Sequence, residues 1–239
     1  MNEPEGQVPA APPPPPPPAG PENHSGNPWE RRSSGGAFSA FVDAIKLFVT
    51  SPREAFSQTA KSGDFGSPLI FAIVVGWIGA IIGQIWSMAM GASFMSLFPS
   101  EIQQGLGTYM AGSTVGFVVT LIFAPVFIII ALFIWAAILH LCLVIVGGLE
   151  QSEGGFEGTF RVVSYSSVAQ LSNVIPVFGG LVGFVWTMVL AVIGTEEIHG
   201  TSQGKAIAAI LIPAVLCCVC VAIAMFAAGA GLVSYFASQ

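Results

Sequence analysis

The continuity of its apolar segments constrains this chain more than any other feature. After Lys205 the sequence runs to its last residue, Gln239, with no Asp, Glu, Lys or Arg, and the stretches 68–90 and 113–147 are equally free of them. Only 8% of the 239 residues are charged, against about a quarter in a soluble domain. That is too few to cover a surface facing water. In lipid every backbone N–H and C=O must be satisfied internally, which leaves helices or a closed barrel. The apolar runs are continuous rather than alternating, so helices are expected. The fold class is therefore all-α, a polytopic membrane protein. The four cysteines, Cys142, Cys217, Cys218 and Cys220, fall inside apolar segments and define no disulfide framework.

Five spans are expected, at about 68–90, 113–147, 160–176, 177–195 and 205–236. The first is about the length that crosses a ~30 Å hydrocarbon core. Its Gly79 and Gly83 form a small-xxx-small pair that admits a close neighbour. The second is long enough to be one tilted helix kinked at Pro125, or two short ones. The turn Pro176–Gly180 joins the third to the fourth, and Pro213 lies inside the fifth. Charge placement supports this count. The seven basic residues are Arg31, Arg32, Lys46, Arg53, Lys61, Arg161 and Lys205. With the N-terminus inside and the C-terminus outside, all seven are cytoplasmic, and the outer regions carry only Glu101, as the positive-inside rule asks. Six spans would put Arg161 and Lys205 outside and fit worse.

Residues 1–36 form a proline-rich tail expected to be disordered, a spacer whose Pro12–Pro18 run favours a polyproline II rod. Asn23-His24-Ser25 matches a glycosylation sequon. Residues 37–62 read as amphipathic interfacial helices. Phe38, Phe41, Val42, Ile45, Phe48 and Val49 recur at helical spacing, with Asp43 and Lys46 opposite. Ser51, Pro52 and Glu54 read as N-cap, N1 and N3 of a second short helix with a capping box. Residues 63–239 form the membrane domain.

Chemistry-bearing constellations are sparse. Glu196-x-x-His199 has the spacing used in carboxylate-bridged di-metal sites, but such sites need four carboxylates and two histidines converging. The chain offers one such pair, so no metal is expected. There is no nucleophile–base pair, phosphate-binding loop or nucleic-acid patch. Neither catalysis, nor a cofactor, nor a nucleic-acid partner is expected. Ser166, Gln170 and Asn173 fall at i, i+4 and i+7 and form a polar stripe that must face protein or water in a bilayer. Cys217, Cys218 and Cys220 read as packing residues. Glu196, Glu197, His199 and Lys205 read as a cytoplasmic loop between spans four and five, with the acids closing one helix and Lys205 opening the next; acids at a helix C-terminus oppose the macrodipole and point to a contact with Arg161, Lys205 or an interfacial helix. Together with the loop that ends at Arg161 it is expected to form one platform, with Arg161 reaching Glu196 or Glu197 and His199 tuning the platform with pH. Two function classes remain open. One is a non-enzymatic organiser of lipids, protein partners or further copies of itself through the cytoplasmic face. The other is a transporter or channel for ions or small molecules that uses the polar face of span three.

The runs "FVTSPREAFSQTAKSGDFGSPLIFAIVVGWIGAIIG", "HLCLVIVGGLEQSEGGFEGTFRVVSYSSVAQLSNVIP" and "EIHGTSQGKAIAAIL" resemble the Yip1 domain family over roughly residues 38–225. The resemblance implies five membrane helices and a cytoplasmic N-terminus. Eukaryotic members act in Golgi and endoplasmic-reticulum trafficking, bind Rab GTPases, and carry an Asp-Leu-Tyr-Gly-Pro signature before span one. Asp64-Phe65-Gly66-Ser67-Pro68 is similar but has an added serine and no tyrosine. A Rab-type GTPase partner is thus implied only for a eukaryotic-like member. The short loops and "HGTSQGKA" look closer to bacterial members, which places the chain in a bacterial inner membrane.

Overall fold

The computed structural model describes residues 26–32, 36–95 and 100–237. The proline run and the Asn23 sequon lie outside them. The described residues are helical: α1 (Ala37–Thr50), α2 (Pro52–Gln58), α3 (Gly66–Met95), α4 (Ser100–Ile145), α5 (Gly155–Ser166), a 3-10 helix (Ser167–Val174), α6 (Gly179–His199) and α7 (Gln203–Ala237). Four segments are long and apolar enough to cross a membrane: Gly66–Met90, Leu121–Ile145, Gly179–His199 and Gln203–Ala227.

The long apolar run around Pro125 is one helix, α4. Proline lacks an N–H, so the carbonyl four residues earlier loses its helical donor. That carbonyl belongs to Leu121, and the Trp77 indole N–H on α3 donates to it at 3.0 Å. The freed acceptor is thereby satisfied by a neighbouring helix, as lipid requires.

The third apolar stretch differs in kind from the others. It falls within the twelve-residue α5 and the eight-residue 3-10 helix that follows it, the latter longer than the three or four residues usual for that form. Two features hold it there. Ser167 Oγ donates to Ser164 O at 2.6 Å, a local bond that competes with regular helix. Glycines on both sides also bring neighbouring backbones into contact: a Cβ on Gly79 would lie 2.8 Å from Gln170 O, and one on Gly183 3.0 Å from Ala169 O. The close approach expected at Gly79 is thus made with the 3-10 helix. Three residues per turn also changes the polar face. Ser167, Gln170 and Asn173 share it, whereas Ser166 is buried with no hydrogen-bond partner for its hydroxyl.

An aromatic cluster holds the N-terminal helices on the bundle. Ala40, Ala44 and Phe48 of α1 are buried. The Phe48 ring stacks on Tyr165 of α5 at 4.9 Å and meets Phe56 of α2 edge-on at 5.0 Å. Phe38 and Val49, from the same apolar stripe, point outward. Pro52 does open α2, but Ser51 makes no side-chain cap bond, and Glu54 accepts from Gln58 Nε2 at 3.1 Å instead.

Residues 27–32 were expected in the tail and instead dock as a strap on the bundle. Trp29 is buried against Phe41 and Phe71 and donates its indole N–H to Ser67 O at 2.7 Å. Asn27 Nδ2 donates to Thr59 Oγ1 at 3.1 Å. The strap buries an aromatic side chain and pairs the Trp29 and Asn27 side-chain donors, which offsets the entropy of ordering it.

Candidate functional site

Most of the polar chemistry gathers at one end of the bundle, where α3, α5 and α7 begin and α4 and α6 finish. At its centre is Arg161, only 2% exposed. Its guanidinium donates to Glu30 of the strap, to Glu157 one turn earlier on α5 at 2.9 Å, and to Asp64 O at 2.8 Å. The Glu30 carboxylate also accepts from Tyr165 O–H at 2.9 Å, from Ala60 N–H at 3.0 Å and from Asn27 N–H at 3.1 Å. The buried carboxylate is therefore surrounded by donors, as burial of a charge requires.

Asp64 and its neighbours build the start of α3. Asp64 Oδ1 accepts the Ser67 backbone N–H at 2.6 Å, satisfying an otherwise free donor of the first turn. Gly66 and Pro68 sit in that turn. The Asp64–Pro68 motif is thus a helix start whose backbone also holds Arg161.

The expected contact between Arg161 and Glu196 or Glu197 is not made. Arg53 of α2 takes both acids: Nη1 donates to Glu197 and Nη2 to Glu196, each at 2.8 Å. Both carboxylates hold the Arg53 guanidinium above its usual pKa. The physical reason for the difference is access. Arg161 is enclosed by the strap and already held by Glu30, Glu157 and Asp64 O, whereas α2 packs on α6 and brings Arg53 over its end. Glu196 and Glu197 close a helix, as expected, and His199 belongs to it rather than to the loop that follows. They are the last turn of α6, which stops at Gly200 in the left-handed region with its N–H bonded to Glu196 O at 2.9 Å, the glycine C-terminus expected of a helix.

His199 is fully buried rather than free to sense the solvent. Its Nδ1 lies 2.7 Å from Ser152 Oγ and its Nε2 3.1 Å from Thr159 Oγ1, which is itself 2.9 Å from His140 Nδ1. The two imidazoles and two hydroxyls thus tie α4, α5, α6 and the 146–154 loop together. Among the described residues no three His, Cys, Asp or Glu side chains gather as a metal site would need. Lys205, in the first turn of α7, donates to Gly147 O at 2.7 Å and to Glu150 at 3.4 Å. Lys61 donates to Glu153 at 2.9 Å. Ser166, Gln170 and Asn173 stand apart from this layer, toward the other end of α5 and the 3-10 helix, where Asn173 Nδ2 donates to Gly79 O at 3.2 Å.

Sequence reasoning missed Trp29, Glu30 and Arg53 as members of this layer. A tryptophan beside charged residues in an otherwise proline-, glycine- and serine-rich stretch was the available signal for the first two.

The Yip1 domain model matches residues 45–225. No curated protein and no solved structure matches the chain.

Proposed function

The chain belongs to the Yip1 domain family, and on that premise we propose that it is a non-enzymatic integral membrane protein that organises protein partners or lipids through one polar face. The observation that carries this reading is the interlocked layer at one end of the bundle. The strap, α2 and the 146–154 loop are clamped to the helix ends through Arg53, Lys61, Arg161 and Lys205. Such a layer offers a rigid surface beside the membrane.

A five-crossing topology with this layer in the cytoplasm fits the geometry. A twelve-residue α-helix rises about 18 Å, and eight residues of 3-10 helix about 16 Å. From Arg161 in the layer to Val174 the two rise about 24 Å, so on this reading α5 and the 3-10 helix make a short crossing, third in chain order, of a ~30 Å core. The basic residues then all lie inside, and the resemblance to bacterial members supports a bacterial inner membrane as the proposed location. The test is labelling in a variant whose four native cysteines are alanine. A membrane-impermeant maleimide applied from outside should modify Gln103→Cys and Ser238→Cys but not Ser202→Cys. Modification of Ser202→Cys removes the topology and the function built on it. Crosslinking mass spectrometry of intact membranes then identifies what occupies the polar face, and crosslinks that avoid residues 53–61, 150–153 and 196–205 count against it.

A further inference from the structure

Between Arg161 and Glu196 the chain holds no Asp, Glu, Lys or Arg, even in the turn that joins the 3-10 helix to α6. At that turn Val174, Ile175, Val177, Phe178 and Leu181 are all exposed. A turn in water takes Gly, Asn, Asp or Ser, which tolerate the left-handed region or bond locally through the side chain. Here Val177 holds φ at 67°, the one positive value outside glycine among the described residues. For a β-branched residue that conformation is strained. It closes a γ-turn, in which Phe178 N–H donates to Pro176 O at 2.7 Å.

The backbone of this turn is paired mostly within the chain. Ile175 N–H donates to Ser172 O and Gly179 N–H to Ile175 O, each at 2.9 Å. Ser172 Oγ donates to Gly179 O at 2.7 Å, and Pro176 has no N–H to place. From 175 to 179 only the Val177 N–H has no acceptor among the described residues. Hydrocarbon demands such internal pairing, and water does not.

Two routes give the depth of the turn. Val174 lies about 24 Å from Arg161 along α5 and the 3-10 helix. His199 is bonded to Thr159, about 3 Å before Arg161 along α5, and Gly179 lies about 30 Å from His199 along α6, so about 27 Å from Arg161. Both distances fall short of a ~30 Å core, and tilt shortens them further. On α3, whose start adjoins Arg161 through Asp64 O, the exposed Trp86, Met88 and Met90 lie about 30–36 Å from Gly66. Val177 borders Trp86 and Met90 across a cleft of about 250 Å³. The apolar outer surface of α3 thus continues past the turn, and the hydrocarbon that covers it covers the turn as well.

We propose that residues 174–178 form a re-entrant tip that ends in the hydrocarbon of the leaflet opposite the polar layer, with Val177 and Phe178 packed on acyl chains rather than facing water. The inference rests on the reading that α5 and the 3-10 helix cross the bilayer from the layer, and adds where that crossing stops. The hairpin then presents nothing to a soluble partner on the far side; what it engages there is lipid.

The test is nitroxide accessibility by power-saturation EPR, on the full chain in vesicles of phosphatidylethanolamine and phosphatidylglycerol. Single spin labels are attached to Val177→Cys, Phe178→Cys, Phe127→Cys and Gln103→Cys in the cysteine-free background. Phe178 has φ −96°, so its variant probes the tip without altering the strained residue. Phe127 is exposed within the apolar window of α4 and reports hydrocarbon, whereas Gln103 reports water. Both tip labels should collide with oxygen in preference to a water-soluble nickel chelate, as at Phe127, and collide with the chelate severalfold less than the label at Gln103. Preference for the chelate at the tip overturns the proposal. Weak collision with both reagents also overturns it, because protein, such as a second copy of the chain, then covers the tip. If the label at Phe127 itself prefers the chelate, the membrane reading fails and the tip with it. Val177→Asn supplies a second readout. Asn tolerates the left-handed region better than Val and in water would raise the melting temperature, but an amide placed in hydrocarbon lowers it. A lower melting temperature in lipid is expected, and a higher one overturns the proposal.

Discussion

Replacing Arg161 by methionine tests whether the strap is held by its buried charges. The substitution keeps a long side chain but removes the donors to Glu30, Glu157 and Asp64 O. Glu157 is 21% exposed and can recover water. Glu30, at 9% exposed, cannot, and keeps only Tyr165, Ala60 and Asn27 as donors. Removing one partner of a buried pair costs about 3–5 kcal/mol, and the three remaining donors put this case near the lower limit, about 3 kcal/mol. For a chain of this size each kcal/mol moves the melting temperature by about 2–4 °C. Arg161→Met should therefore melt about 6–12 °C lower, as followed by tryptophan fluorescence of the full chain at fixed pH and detergent. The double variant with Glu30→Gln removes the stranded charge and should recover roughly half of the loss, since paired groups are not additive. A fall below about 2 °C in the single variant, or a double variant less stable than the single, would refute the argument.

Two further outcomes follow from the packing. Gly79→Leu places a Cβ 2.8 Å from Gln170 O and should destabilise by about 1–3 kcal/mol, as overpacking does. Gly180→Ala, which meets no atom within 4 Å, should leave the same melting curve unchanged. Arg53→Glu should expose α2 to limited proteolysis, and adding Glu196→Arg with Glu197→Arg should restore protection. Arg161→Glu should gain nothing from Glu196→Arg, because these side chains do not meet; a rescue there would reinstate the pairing that the spacing of the loops first predicted.

Helices at 68–90 and 205–236 were legible because lipid leaves a long uncharged run few alternatives. The same argument could not see the 3-10 helix. It depends on Gly79 and Gly183 arriving from two other helices, and the change from about 3.6 to 3.0 residues per turn moved the polar face from Ser166 to Ser167. The polar layer was partly legible. Glu196 and Glu197, placed against the macrodipole at a helix C-terminus, asked for a cationic partner, and a cation on the N-terminal helices was among those considered. Which cation reached them was not readable, because Arg161 was already taken by Glu30, 131 residues away, in a stretch whose composition reads as a tail.

The indole–carbonyl bond between Trp77 and Leu121 bears on how the chain enters the membrane. Until α3 stands beside it, α4 carries at Pro125 an acceptor that hydrocarbon cannot satisfy. The two helices therefore gain by leaving the translocation machinery as a hairpin rather than one after the other. Trp77→Phe would keep the ring but strand the carbonyl, and its burden would fall on biogenesis before it fell on the finished fold.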